Sequence, residues 1–365
     1  MRPPPAPLRP SHRPASRLAL ALALCALGLG ATALLVALVA NPLVRPARDT
    51  GMPREKLAEL RAIAPQVDVL VIGTSRLLEG FDPRVFAAET ARLGRPLRAY
   101  NFSVQRLLLW EQVRLVDEAL AVPGLQPKLV LLEPAVGLGI SQENFTHART
   151  LEFETPAAWR LAVSSVLGSD RGLAHKAWNL AAHTLVAALH DVHYGLYTRL
   201  VFPDPRAVDP DREPTDPRLL GFAPQPDRPA GEPPPAWLVT MRTEYLTRFA
   251  QDSRAPGKLP ATMQASFLSL QERLRRRGIA MLWVQPPQLG FTTQELRELT
   301  FGFGAAVTSP GGDPGLLTYL DPSEHPALFD PRWWLDYNHF TETGAGLFTR
   351  ELAGDVTRRL GTTPP

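Results

Sequence analysis

Cysteine is nearly absent from this chain of 365 residues: Cys25 stands alone, inside an apolar run. A single cysteine excludes an intramolecular disulfide framework and any cysteine-based metal centre. A basic excess is missing as well. The net charge is +3, and four arginines ahead of the first apolar run (Arg2, Arg9, Arg13 and Arg17) account for it, because without them 35 basic residues face 36 acidic ones. No basic stripe interleaved with aromatics occurs, so the sequence gives nucleic acid no footprint. There is no internal repeat. A metal centre lacks ligands too: His190 and His193 are spaced i, i+3, but no carboxylate cluster matches them. These two, with His175 and His183, read as helix-face residues that pack or meet solvent. Neither a metal nor a cofactor is expected.

What is abundant is apolar surface and proline. The 38 prolines cluster, so loops and linkers make up a real share of the chain. Residues 18–40 read LALALALCALGLGATALLVALVA, without a charge. At about 1.5 Å per residue a helix of this length spans the roughly 30 Å hydrocarbon core of a bilayer. A cleavable signal peptide would have a shorter apolar region and a small-residue cleavage site, and an A-x-A site before Asn41 is lacking. The expectation is an uncleaved anchor. The basic tail at 1–17 would lie in the cytoplasm and the remainder outside it, although Arg45, Arg48, Arg54 and Lys56 follow the span and nearly balance the rule.

Beyond the anchor, 41–66 reads as a linker and a helix, and 67–362 as one α/β domain. The β-branched run VDVLVI at 67–72 suits a buried parallel strand. A helix at 82–93 opens on Asp82-Pro83, an N-cap followed by a proline in the first turn. Strands are expected again at 97–104, 127–133 and 279–284. Helices are expected at 107–121, 237–250, 259–277, 292–299 and 343–360. Strands alternating with helices imply a parallel sheet covered on both faces. The stretch at about 150–258, helical and then proline-dense, breaks this alternation and reads as an insertion.

Two short stretches carry chemistry. The first is Gly73-Thr74-Ser75-Arg76, directly after the first strand. A serine on a sharp strand-to-helix turn is exposed, and nearby backbone N–H groups can hold an oxyanion. The plainer reading is that Ser75 or Thr74 caps a short helix. The second is Asp336-Tyr337-Asn338-His339, just before the last helix. A serine hydroxyl needs a base, and the base needs an orienting group. Asp336 and His339, three apart, supply both on one side of a turn. Trp333 and Trp334 precede them, as a sugar-stacking pair or as core.

Together these two blocks resemble the SGNH/GDSL hydrolase superfamily, in which Gly-Asp-Ser follows the first strand of the best-known members. The tail FTETGAGLFTREL at 340–352 is similar to membrane-anchored members related to teichoic-acid D-alanyl transfer and to polysaccharide O-acetylation. The resemblance covers about 67–133 and 279–360. It implies a three-layer α/β/α, flavodoxin-like fold with a helical insertion, here preceded by one transmembrane helix. Carried over, Ser75 is the nucleophile, His339 the general base and Asp336 its orienter. The middle blocks depart. The second strand leads into Tyr100-Asn101-Phe102-Ser103 without the usual glycine, and the third into Glu133-Pro134 without Gly-x-Asn-Asp. The side-chain donor of an oxyanion hole is thus unassigned. Asn101 is the candidate, with a loop hydrogen bond as its other role. The N–H of Ser75 or Arg76 is a further donor. The Arg76 side chain either holds an anionic group of the substrate or forms a structural ion pair.

The expected function is a membrane-anchored, extracytoplasmic serine esterase or O-acyltransferase, acting on acyl (acetyl) groups of cell-envelope glycans through an acyl-serine. Its partners would be an acylated carbohydrate and a membrane protein that supplies the acyl donor. The alternative is a non-catalytic SGNH-like module that binds glycan or scaffolds an envelope-synthesis complex.

Overall fold

Four of the apolar runs form strands because each can be buried on both faces. β1 (Val69–Ile72), β2 (Ala99–Asn101), β3 (Leu129–Leu132) and β4 (Ala280–Gln285) are nearly all buried. The computed structural model describes residues 52–105, 107, 109–134, 156–169, 171–201, 216–252, 261–290, 296 and 315–362, together with scattered positions between 20 and 35. A fifth strand, β5 (Leu316–Thr318), was not expected from the sequence. All neighbouring strands pair in parallel, in the order β2-β1-β3-β4-β5.

Side chains alternate along each strand, so the sheet feeds two cores. Leu70, Ile72, Val130, Leu132, Met281 and Trp283 face one side. There they meet α1 (Met52–Ile63), α4 (Leu109–Leu120) and α8 (Ala261–Arg276), through Leu60, Leu115 and Phe267 among others. Val69, Val71, Leu129, Leu131, Leu282 and Val284 face the other side. There they meet α3 (Pro83–Arg92) and α9 (Glu342–Thr362), through Phe86, Phe348 and Leu352. The helix after β1 thus covers one face and the helix after β2 the other. The winding reverses between them, at the carboxyl ends of β1 and β3, where open sheets of this kind place their sites.

The stretch read as an insertion contributes to both cores. α5 (Pro156–Gly168) and α6 (Leu173–Val201) bring Ala162, Val166, Ala182 and Val186 to the first. Phe222 and α7 (Ala236–Asp252), with Leu238 and Tyr245, join the second. Between them Leu220 accepts from the Asn101 N–H at 2.9 Å, so this segment lies along the β2 edge. Gly221 is held there at φ +82, and a Cβ on it would collide with the Asn101 carbonyl.

Of the expected anchor, the described residues, including Leu20, Leu24, Leu27 and Leu35, are helical and exposed. No helix among the described residues is long and apolar enough to cross a membrane. The rest of 18–40, the tail at 1–17 and most of the linker lie outside the described residues, as does all of 292–299 except the buried Leu296.

Candidate active site

The turn after β1 is built around a buried carboxylate. Glu133, 1 % exposed, follows β3 and reaches across to this turn. It accepts from the Thr74 N–H at 2.7 Å and from the Thr74 hydroxyl at 3.0 Å, and it pairs with the Arg76 guanidinium at 2.5 Å. Its carboxylate lies so close to Gly73 that a Cβ there would stand 2.5 Å from Glu133 Oε2 and 2.8 Å from Leu77 Cδ1. Only glycine fits.

α2 (Ser75–Gly80) begins at once, and Thr74 is its N-cap, accepting from the Arg76 N–H at 3.3 Å. The capping role therefore falls to Thr74, which leaves the Ser75 hydroxyl for another partner. That partner is His339: its Nε2 lies 2.8 Å from Ser75 Oγ. On the far side of the ring, Nδ1 is 2.8 Å from Asp336 Oδ2. The three residues picked from opposite ends of the sequence are thus joined in one hydrogen-bonded chain.

Asp336 and His339 do not sit on a helical turn. They occupy the tip of a hairpin closed by an antiparallel bridge between Trp334 and Phe340. The Leu335 N–H donates to the His339 carbonyl at 2.9 Å, and Asp336 Oδ1 accepts the N–H groups of Asn338 and His339 at 2.7 and 2.9 Å. The tip is therefore wrapped around the same carboxylate that orients the imidazole. Trp334 is its foundation, fully buried on Phe340 with ring centroids 4.4 Å apart. It is core and not a sugar platform. Trp333 is half-buried beneath Arg332, and Tyr337 is the aromatic left exposed beside the triad.

Electrostatics suit a general base. Burial pushes the His339 pKa down, but the hydrogen bond to Asp336 and the charges of Glu79 and Asp336 outweigh burial, and the net shift is upward. Burial pushes Asp336 up, and its bonds to His339 and to two backbone N–H groups more than reverse that, so it stays ionised. In the neutral ring that donates from Nδ1 to this carboxylate, Nε2 carries the lone pair, and it is Nε2 that faces the serine.

Asn101 does not enter this arrangement. Its amide nitrogen donates to the carbonyls of Leu77, Leu78 and Phe81 at 2.7, 3.3 and 3.0 Å, and its oxygen accepts from the Ser103 N–H. Its role is the loop bond weighed in the sequence: it ties the end of α2 to the end of β2. Arg76 takes the structural ion pair, and its N–H is engaged by Thr74. Of the two backbone donors expected at this turn, the Arg76 N–H is thus taken and the Ser75 N–H is the one that remains as a candidate.

Three contributors were missed in the sequence. Glu133 organises the turn. Gln288, nearly buried after β4, accepts from Arg76 and donates to Asn338, and so straps the serine turn to the hairpin. Glu79 sits four residues after Ser75, one turn along α2, and lends charge to His339. A polar residue at or shortly after the end of a buried parallel strand was the available signal for Glu133 and Gln288, since open α/β sheets place their sites there.

Among the described residues no group of histidine, cysteine and carboxylates could hold a metal ion. His175 is exposed and His183 is buried on α6, while the side chains of His190 and His193 lie outside the described residues. An open cleft of about 540 Å³ runs along β5, lined by Thr318, His325, Asp355 and Arg359 among others. It includes no member of the triad. No protein-family model matches the chain, and no curated protein matches it.

Proposed function

We propose that the protein is a serine esterase or O-acyltransferase of the SGNH type, anchored in the membrane, with its catalytic domain outside the cytoplasm. The observation that carries this reading is the chain Ser75–His339–Asp336, with 2.8 Å at both links. The strand order supports it as well, because 2-1-3-4-5 is that of flavodoxin-like sheets and the serine stands at their switch point.

In the first half-reaction His339 Nε2 takes the Ser75 proton as Oγ bonds to the acyl carbon. The tetrahedral intermediate collapses by breaking the bond to the donor's alkoxide oxygen, which leaves with the proton from Nε2. Asp336 stabilises the imidazolium between these steps. In the second half, Nε2 takes a proton from a sugar hydroxyl or water, that oxygen attacks the acyl-serine, and Ser75 Oγ leaves and recovers the proton. An anchored domain meets donors delivered at the membrane and acceptors in the envelope, so acetylated glycans are the proposed substrate class.

One observation favours the second reading, a non-catalytic glycan-binding or scaffold module. The Asn101 amide is fully engaged elsewhere, and a side-chain oxyanion donor is worth about 2.7–4 kcal/mol of barrier. Turnover of p-nitrophenyl acetate and of an acetylated xylo-oligosaccharide separates the two. The enzyme reading expects saturable release of acetate that is lost in Ser75→Ala. Absence of turnover by the folded wild-type protein would favour the module.

A further inference from the structure

α6 is apolar on two sides. Asn179, Ala182, His183 and Val186, spaced i, i+3, i+4, i+7, are buried toward the first core. A helix on a protein surface normally carries charge on the opposite side. Here that side presents Ala174, Ala177, Trp178, Ala181 and Leu185, at the same spacing and all exposed. Trp178 is 62 % and Leu185 50 % exposed, and at the hairpin end Leu173 is 86 % and Leu167 of α5 57 % exposed. Over 173–187, the part of α6 whose side chains are described, no charged residue interrupts these five.

We propose that this face of the α5–α6 hairpin rests on the bilayer, with Trp178 at the level of the headgroups. The inference builds on the anchor proposed above. The tether specifies the occupant: residues 41–51 are all that separate the apolar run at 18–40 from α1, a reach of at most about 40 Å when fully extended. α1 packs through Leu60, and the turn after it through Ala64, into the same core layer as Ala182 and Val186 of α6, over the same sheet face. The tether therefore leaves from the same layer of the molecule to which α6 belongs. Charge agrees: 156–187 contains Arg160, Arg171 and Lys176 against one acid, Asp170, a balance that suits anionic headgroups. Tryptophan with one apolar and one polar edge is the residue that favours this depth. Such a contact would fix the orientation of the domain, and with it the height of Ser75 above the lipid.

The test uses the full chain reconstituted with vesicles of phosphatidylcholine and phosphatidylglycerol, with or without dibrominated acyl chains, and reads tryptophan fluorescence. The expected result is a brominated-lipid quenching component in the wild type that disappears in Trp178→Phe, while both proteins float with the vesicles and keep the same circular dichroism. Equal quenching in both floating proteins overturns the face and leaves the anchor standing. A chain that does not float overturns both. Disulfide cross-linking between two copies of Trp178→Cys in a Cys25→Ser background, without lipid quenching at this position, overturns it in favour of a dimer.

Discussion

Thr74 caps α2, and Ser75, one residue later, stands where a base can reach it; the division of labour between these two hydroxyls decides the chemistry of the turn. The upward-shifted His339 has a direct consequence. As the proposed general base it would work only when neutral, so the acidic limb of the kcat/KM profile should lie above the ordinary imidazole value of 6.5. Asp336→Asn removes the bond and charge that raise this pKa and leaves the burial that lowers it. The limb should move to lower pH while turnover falls by roughly 10²–10⁴-fold, which a pH series on a chromogenic ester would measure. Lys56 makes a separate prediction. It is fully buried, donates to the carbonyls of Asn101 and Gly221, and is pushed by burial down to about 7, against a smaller opposing effect of Glu59. The unfolded chain keeps this proton up to about 10.4. Between these values the unfolded state binds more protons, so stability contributed by this site rises with pH. The urea midpoint of Lys56→Met should lack the part of the pH 7–10 slope that the wild type owes to this lysine. Ser75, Asp336 and His339 were legible because the first stands in the turn after a buried strand and the other two stand just before the last helix. Glu133, Gln288 and Glu79 were not, because their meaning lies in partners far away in the chain or across a helical turn that only the fold brings into place.

At the scale of elements, the site is a short helix and a hairpin held at a fixed separation. Glu133 anchors the first, Trp334 seats the second, and the chain Glu133–Arg76–Gln288–Asn338 joins them. If the strap sets the distance from serine to imidazole, Gln288→Ala should lower kcat by up to roughly 10²-fold with KM little changed. The same variant should leave the acidic pH limb in place, since Asp336 is untouched. Gly73→Ala tests the anchor of the turn. Its methyl would meet Glu133 and Leu77 at 2.5 and 2.8 Å, and an overpacked site of this kind costs about 1–3 kcal/mol, readable as a lowered urea midpoint. β1 to β4 could be read in advance because parallel strands buried on both faces are unbroken apolar runs. β5 could not, since three residues carry no period. The helical spacing assumed for Asp336 and His339 was also misleading: a carboxylate that accepts its own loop's N–H groups closes a hairpin tip at the same separation.

At the scale of the whole molecule, the sheet order places the ends of β1 and β3 beside each other at the point where the winding reverses. That is why a glycine-threonine-serine turn and a lone glutamate, 58 residues apart in numbering from Ser75 to Glu133, share one site. The alternation of strands and helices made the covered parallel sheet legible. The helical and proline-dense stretch was harder to place, because its apolar residues look like those of a separate unit until α5, α6 and α7 are seen feeding both cores. The central claim is that Ser75 is a nucleophile activated by His339. Intact mass and peptide mapping after exposure to a fluorophosphonate measure it most directly. The account predicts one adduct per chain, in the peptide that contains Ser75, absent from Ser75→Ala and strongly slowed in His339→Ala. A folded wild-type protein that takes up no adduct, or takes it up at another residue, would contradict it.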